Sequence, residues 1–171
     1  MVSFRESSVD EPGAHALLTE YFTSRELGFT GDHPYRVAFP NPADFVPPQG
    51  VFLVVVEEEL VVESGELVVE PVGAEVGCGG IRRIPAGTEG GIRFEVKHLW
   101  LQPRVRGRGL SRHLLAELES RARGFVATEL VLDTNASLEA AAGLYRSTGF
   151  VGIDAYNDNP NATNWYRKAL V

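Results

Sequence analysis

The chain has 171 residues, 44% of them apolar and 23% charged, and a net charge of −7. That length suits one compact domain with a real core, expected over residues 1–171. The acidic balance argues against nucleic acid or an anionic membrane as partner, and the longest apolar run, "VFLVVV" at 51–56, is far too short to span a bilayer. Cys78 is the only cysteine, so no internal disulfide forms, and the first residues lack the apolar centre of a signal peptide; a reducing cytoplasm is the expected setting.

In chain order, "VSFR" (2–5) reads as a first strand. Asp10 is placed to cap a helix whose apolar face is Ala14, Leu17, Leu18 and Tyr21, with Gly28 as its stop. Residues 29–50 hold too many prolines and glycines for a long helix and are expected to lie irregularly over the sheet. "VFLVVV" is a strand. In 60–70, Ser64-Gly65 sits between valine pairs like a hairpin tip. Strands follow at 75–84 and 92–101, joined by a turn over 85–91; short connections of this kind mean antiparallel pairing.

At Arg104 the pattern changes. Leu110, Leu114, Leu118 and Ala122 recur every four residues, and Gly124 closes that helix. "ELVLDT" (129–134) reads as a buried strand, residues 137–149 as a helix carrying Leu138, Ala141 and Tyr145 on one face, and 150–156 and 164–170 as closing strands. The expected fold is α/β, with a mixed central sheet of about seven strands flanked by helices.

Gly107 and Gly109 stand where a strand runs into a helix. Glycines there let the backbone curl so that several N–H groups point outward together, and the helix dipole adds partial positive charge. The result is an anion site, or else a tight turn edged by solvated arginines. It is not a P-loop, because "GRGLSR" has no lysine, and not a dinucleotide fingerprint, because position 112 is arginine and antiparallel strands precede it.

"RVRGRG" (104–109), behind a hydrophobic strand, resembles the Arg/Gln-x-x-Gly-x-Gly/Ala pattern of the GNAT superfamily of N-acetyltransferases. "LDTNASLEAAAGLYRSTGF" (132–150) is similar to that family's second region: strand, Asn, small-residue helix, Tyr, Gly-Phe. The resemblance covers roughly the C-terminal half and implies acetyl-CoA as cosubstrate; the residues themselves suggest no metal. It implies that the pyrophosphate rests on the turn formed by Arg104, Val105, Arg106, Gly107, Arg108, Gly109 and Leu110. Pantetheine would lie along Leu99, Trp100 and Leu101 as β-augmentation does, with Asn135 beside it. The implied reaction is direct transfer of acetyl to a primary amine in a ternary complex.

The resemblance places Tyr145 near the thioester sulfur as general acid, an alternative to simple packing on its helix face. Glu95 is the candidate base, or else a strand residue paired with Lys97; His98 has the better intrinsic pKa, but strand parity sets it on the opposite face unless a bulge intervenes. Cys78, in the crowded "GCGG", has no local activating group and reads as a core residue. The four histidines show no metal-ligand spacing. In "AYNDNPNATNWY", Tyr156, Asp158 and Asn159 either wall an acceptor site or build an ordinary turn; Tyr21, Phe22 and Arg25 are further wall candidates. The acceptor is expected to be a small amine. A protein N-terminus or lysine is the alternative, and a non-catalytic acyl-CoA-binding module is the reading from another class. A homodimer is compatible with the resemblance, and no function attaches to the acidic segment 57–70.

Overall fold

The computed structural model describes residues 1–63, 66–87 and 90–170. Seven strands form one sheet: β1 (Val2–Glu6), β2 (Gly50–Glu63), β3 (Glu66–Ile84), β4 (Arg93–Leu101), β5 (Glu129–Thr134), β6 (Val151–Ile153) and β7 (Asn164–Ala169). Their order across the sheet is β1-β2-β3-β4-β5-β7-β6, and β4 with β5 is the parallel neighbour pair. Three helices flank the sheet: α1 (Pro12–Leu27), α2 (Leu110–Gly124) and α3 (Glu139–Ser147).

The run 51–56 is apolar at every position because β2 is buried on both faces. Val51, Leu53 and Val55 point into the larger core with α2, whereas Phe52, Val54 and Val56 point into a second core beneath α1. Burying one such side chain contributes about 1.5–3 kcal/mol, which makes a one-residue slip of register costly. The "GCGG" segment of β3 is small because its neighbours leave no room. A Cβ on Gly80 would meet the Phe45 and Phe52 rings at under 3 Å, and one on Gly77 would meet the Trp100 carbonyl at 2.6 Å. Cys78 between them is fully buried, and burial pushes its thiol up, away from nucleophilic chemistry.

The crossovers β4–α2–β5 and β5–α3–β6 step in the same direction along the sheet. The right-handed crossover rule therefore puts α2 and α3 on one face, and Leu114, Leu118, Ala141, Leu144 and Tyr145 share that core. The other face carries α1 and the irregular segment 29–41, which runs into a single 3₁₀ turn at Pro42–Phe45 capped by the Asn41 side chain.

Several boundaries differ from the sequence expectations. Residues 51–56 and 60–63 are one strand, as are 66–70 and 75–84, so the hairpin is an outward extension of β2 and β3 rather than a separate unit. Its ladder runs out to Glu63 opposite Glu66, and the proposed tip Ser64-Gly65 lies outside the described residues. The N-cap of α1 is Glu11, not Asp10. Asp10 is occupied by the Ser8 hydroxyl, and Pro12, which needs no N–H partner, opens the helix. α3 starts at Glu139 because Asn135 Oδ1 takes the Ser137 amide into a turn. β6 stops at Ile153, and the polar 154–163 segment leaves the sheet. Among the described residues no helix is long and apolar enough to cross a membrane.

Candidate active site

β4 and β5 pair only at Arg93–Glu129, Phe94–Leu130 and Glu95–Val131. Beyond that point β4 continues to Leu101 and β5 to Thr134 with no ladder between them, so the sheet opens into a wedge. The local cause lies in β4. His98 has φ +55°, and the register against β3 shifts between Cys78 and Gly80. One extra residue on β4 forms a bulge, which bends the strand and strengthens its twist.

The bulge also reverses the parity argument for His98. Glu95 and Lys97 face the α1 side, and the inserted residue turns His98 to that side as well. There it meets Tyr21 and Phe22 edge-on at 5.4 and 5.5 Å. Its Nδ1 is buried with no partner among the described residues. Burial, with Lys97 and Arg82 nearby, pushes the imidazole pKa down to about 3, so the ring is neutral at pH 7.

The wedge opens into a cleft of about 500 Å³. Its floor is β4, with Lys97 and His98 from the α1-side face and Val96 and Leu99 from the α2-side face. One wall comes from β5 and α3, through Asp133, Asn135 and Tyr145; the facing wall comes from α1, through Tyr21, Phe22 and Arg25. Tyr35, Arg36 and Phe39 of the irregular segment close a third side. That segment is tied to the loop after β6 by Asn161, which accepts from the Arg36 amide (3.0 Å) and donates to its carbonyl (2.8 Å).

Where the β4–β5 ladder stops, side chains take over. Lys97 Nζ donates to Asp133 at 3.0 and 3.2 Å and lies 3.1 Å from Glu95 Oε1. Burial works against charge on Lys97, but Glu95 and Asp133 more than offset it and hold the ammonium above the ordinary lysine range. Asp133 is likewise opposed by burial and held below the usual range by Lys97, Asn157 and Asn159. Glu95 is 1% exposed. Its Oε2 accepts from Arg82 (2.9 Å), and its Oε1 from the Tyr156 hydroxyl (2.8 Å) and the Asn157 amide (3.4 Å). Arg82 also reaches Asp44 at 3.2 Å.

Of the residues singled out from the sequence, Tyr21, His98, Leu99, Asn135, Tyr145 and Asn159 line the cleft together. Tyr145 is 7% exposed, against Phe150 and Tyr166; burial pushes its phenol up, with Arg25 opposing. Asn135 donates to the Asn161 carbonyl at 3.0 Å. Glu95 and Tyr156 lie behind the lining, bonded to each other. Asp158 is exposed and outside the cleft, a correction to its reading as a wall residue: the loop turns it outward and points Asn157 and Asn159 in to Asp133 instead. Sequence reasoning missed Arg82, Lys97 as a bridging group, and Asp133. The available signal was a charged residue inside each of three apolar strands, with no indication of which would meet.

At the far end of β4 the glycine turn leaves a run of backbone amides without partners among the described residues. Gly107 and Gly109 have φ +76° and +75°, and a Cβ on either would point into open space. Among the described residues, no acceptor is found for the amides of Gly107, Arg108, Gly109, Leu110 and Ser111. The arginines face protein instead: Arg104 and Arg108 pair with Glu57 at 2.6 and 3.3 Å, and Arg106 stacks on Trp100 and donates to the Leu101 carbonyl. Arg112 bonds Ser147. Trp100 is buried towards α1, its indole N–H on Glu20.

A sheet that opens at its parallel β4–β5 pair, with a turn of unpartnered amides at the end of the opened strand, has the architecture of the GNAT class of acetyltransferases. The sequence profile of the acetyltransferase (GNAT) domain matches residues 48–152, and the chain belongs to that family. An uncharacterized N-acetyltransferase of Escherichia coli K12, YjgM, is 32% identical over 133 residues, 77% of this chain and 71% of that one. An IAA acetyltransferase of Azospirillum brasilense is 39% identical over 84 residues, 49% of this chain; the match spans only 52% of that protein. A GNAT acetyltransferase from Elizabethkingia anophelis, solved with acetyl-CoA bound, matches 99% of this chain and 98% of its own with a TM-score of 0.58 at 13% identity, a likeness of fold.

Proposed function

We propose that the chain is an acetyl-CoA-dependent N-acetyltransferase that transfers acetyl directly to the primary amine of a small molecule in a ternary complex. The observation that carries this reading is the opened β4 edge leading straight to the unpartnered amides of Gly107–Ser111. Those amides, with the N-terminus of α2, receive a pyrophosphate, and the β4 edge at Leu99–Leu101 offers backbone groups to a pantetheine amide. Acetyl-CoA, when bound, supplies the activated acyl group and the thiol leaving group.

The chain's own groups then do three things. The cleft walls hold the amine against the acyl carbon, an effect large enough to supply most of the rate. Tyr145, protonated and buried at the cleft wall, donates the proton that the departing sulfur needs. Asn135 fixes the start of α3 and so the position of Tyr145. Glu95 is a less apt base: Arg82, Lys97, Tyr156 and Asn157 already occupy both of its oxygens. In this reading Glu95 holds the wedge in shape, and the amine loses its proton to water in the open cleft.

The test is release of free CoA from acetyl-CoA with a panel of primary amines. Turnover with at least one is expected. Tight acetyl-CoA binding without turnover on any amine would leave a binding module.

A further inference from the structure

Four cations line the cleft: Arg25, Arg36, Arg82 and Lys97. Two are neutralised inside the protein, Arg82 by Glu95 and Asp44, and Lys97 by Glu95 and Asp133. The other two are not. Among the described residues no carboxylate pairs with the guanidinium of Arg25 or of Arg36, in a chain whose net charge is −7. Arg25 is nevertheless held in place, its Cζ 4.9 Å from the centre of the Tyr21 ring, and that ring in turn packs edge-on against His98. It lines the same cleft as Tyr145. Arg36 lies on the third wall, on the segment clasped by Asn161.

A positioned guanidinium without an acid partner, in a partly desolvated site, matches the planar fork of a carboxylate. We infer that the acceptor amine carries a carboxylate close to its reacting nitrogen, received by Arg25 with Arg36 beside it. The acceptor is then a free amino acid or amino-acid-like small molecule. A protein N-terminus does not satisfy the site, because its first carboxyl is already an amide. Tyr21, Phe22, Tyr35 and Phe39 give the remainder of such a molecule an aromatic surface. This inference deepens the acetyl-transfer reading and rests on it for the identity of the reacting group.

The experiment is equilibrium binding by calorimetry to protein saturated with CoA, where no transfer occurs, run beside CoA release from acetyl-CoA. The ligands are the twenty free amino acids, their carboxamides, the corresponding decarboxylated amines, and dipeptides beginning with Asp or Glu. At least one free amino acid is expected to bind tenfold or more tightly than its carboxamide and its amine. Arg25→Gln should remove that preference and Arg25→Lys should retain part of it, with acetyl-CoA affinity and melting temperature unchanged in both. Equal binding of the three forms, no binding of any, or a preference that survives Arg25→Gln overturns the inference. An Asp- or Glu-initial dipeptide that binds as tightly as the free amino acid also overturns it, by moving the carboxylate to a side chain. Carboxylate-selective binding without CoA release defeats the transfer reading and leaves the carboxylate site standing; release from carboxamides as readily as from amino acids does the reverse.

Discussion

Lys97 of β4 reaches across the opened sheet to Asp133 of β5 at 3.0 Å, two residues beyond the last backbone pairing of these strands. The ion pair therefore does what the ladder no longer does: it fixes the width of the wedge. Both side chains are largely buried, so removing one leaves the other charged and uncompensated. Lys97→Met and Asp133→Asn are each expected to cost about 3 kcal/mol in urea unfolding. The double variant should lose clearly less than the sum, as a coupled pair does. Additive losses would show that the bridge does not hold the strands.

Glu95 separates two accounts of the chemistry. As an organiser, Glu95→Gln should lower stability while kcat stays within about tenfold and the acidic limb of the pH–rate profile keeps its place. As the base, its loss would cost on the order of 10²–10⁴ in kcat and erase that limb. The saturated carboxylate favours the first outcome.

Tyr145→Phe keeps the ring against Phe150 and Tyr166 and removes only the hydroxyl. An expected fall of about 10²-fold in kcat, with acetyl-CoA affinity nearly unchanged, would identify the phenol as proton donor. An unchanged rate would return Tyr145 to a packing role.

At Gly107 the backbone is left-handed, and a Cβ there would meet no neighbour within 4 Å, so a larger side chain would crowd the turn itself. Gly107→Val is expected to weaken acetyl-CoA binding at least tenfold. The strain of a β-branched residue at positive φ will also lower stability by about 1–3 kcal/mol. Titration well below the variant's melting temperature separates the two effects, and wild-type affinity there would refute the pyrophosphate site.

His98 makes stability depend on pH. Its pKa is pushed down to about 3 in the fold, against an ordinary 6.5. The unfolded chain therefore binds a proton that the folded one refuses, and stability falls as pH drops from 6.5 towards 3, by at most ~1.4 kcal/mol per unit. Asp133, Glu119 and Glu129, held below their usual range, add their own losses only below their ordinary values of 3.8 to 4.5. Urea midpoints between pH 6.5 and 5 isolate the histidine, and His98→Gln should flatten that interval. A wild-type curve already flat there would mean that the ring charges freely.

Local physics decided much of this protein within the sequence itself. The apolar, β-branched run 51–56 read as a strand, and Leu110, Leu114, Leu118 and Ala122, recurring every four, as one side of a helix. Gly107 and Gly109 marked a turn that other residues do not readily make, directly before that helix. These features rest on neighbours within a few positions, so spacing alone exposes them. The tertiary structure decided what depends on distant partners. Lys97 meets a carboxylate 36 residues away, Glu95 is filled by donors from β3 and from the loop after β6, and the conspicuous arginines at 104 and 108 turn to Glu57. The bulge at His98 reverses a face assignment that strict alternation makes, because one extra residue in a strand arises from its pairing with β3 and from nothing in its own pattern. Charges in apolar strands announce that they need partners, and only the folded chain supplies them; Arg25 of α1, with no carboxylate partner among the described residues, is the basis for the inferred carboxylate of the acceptor.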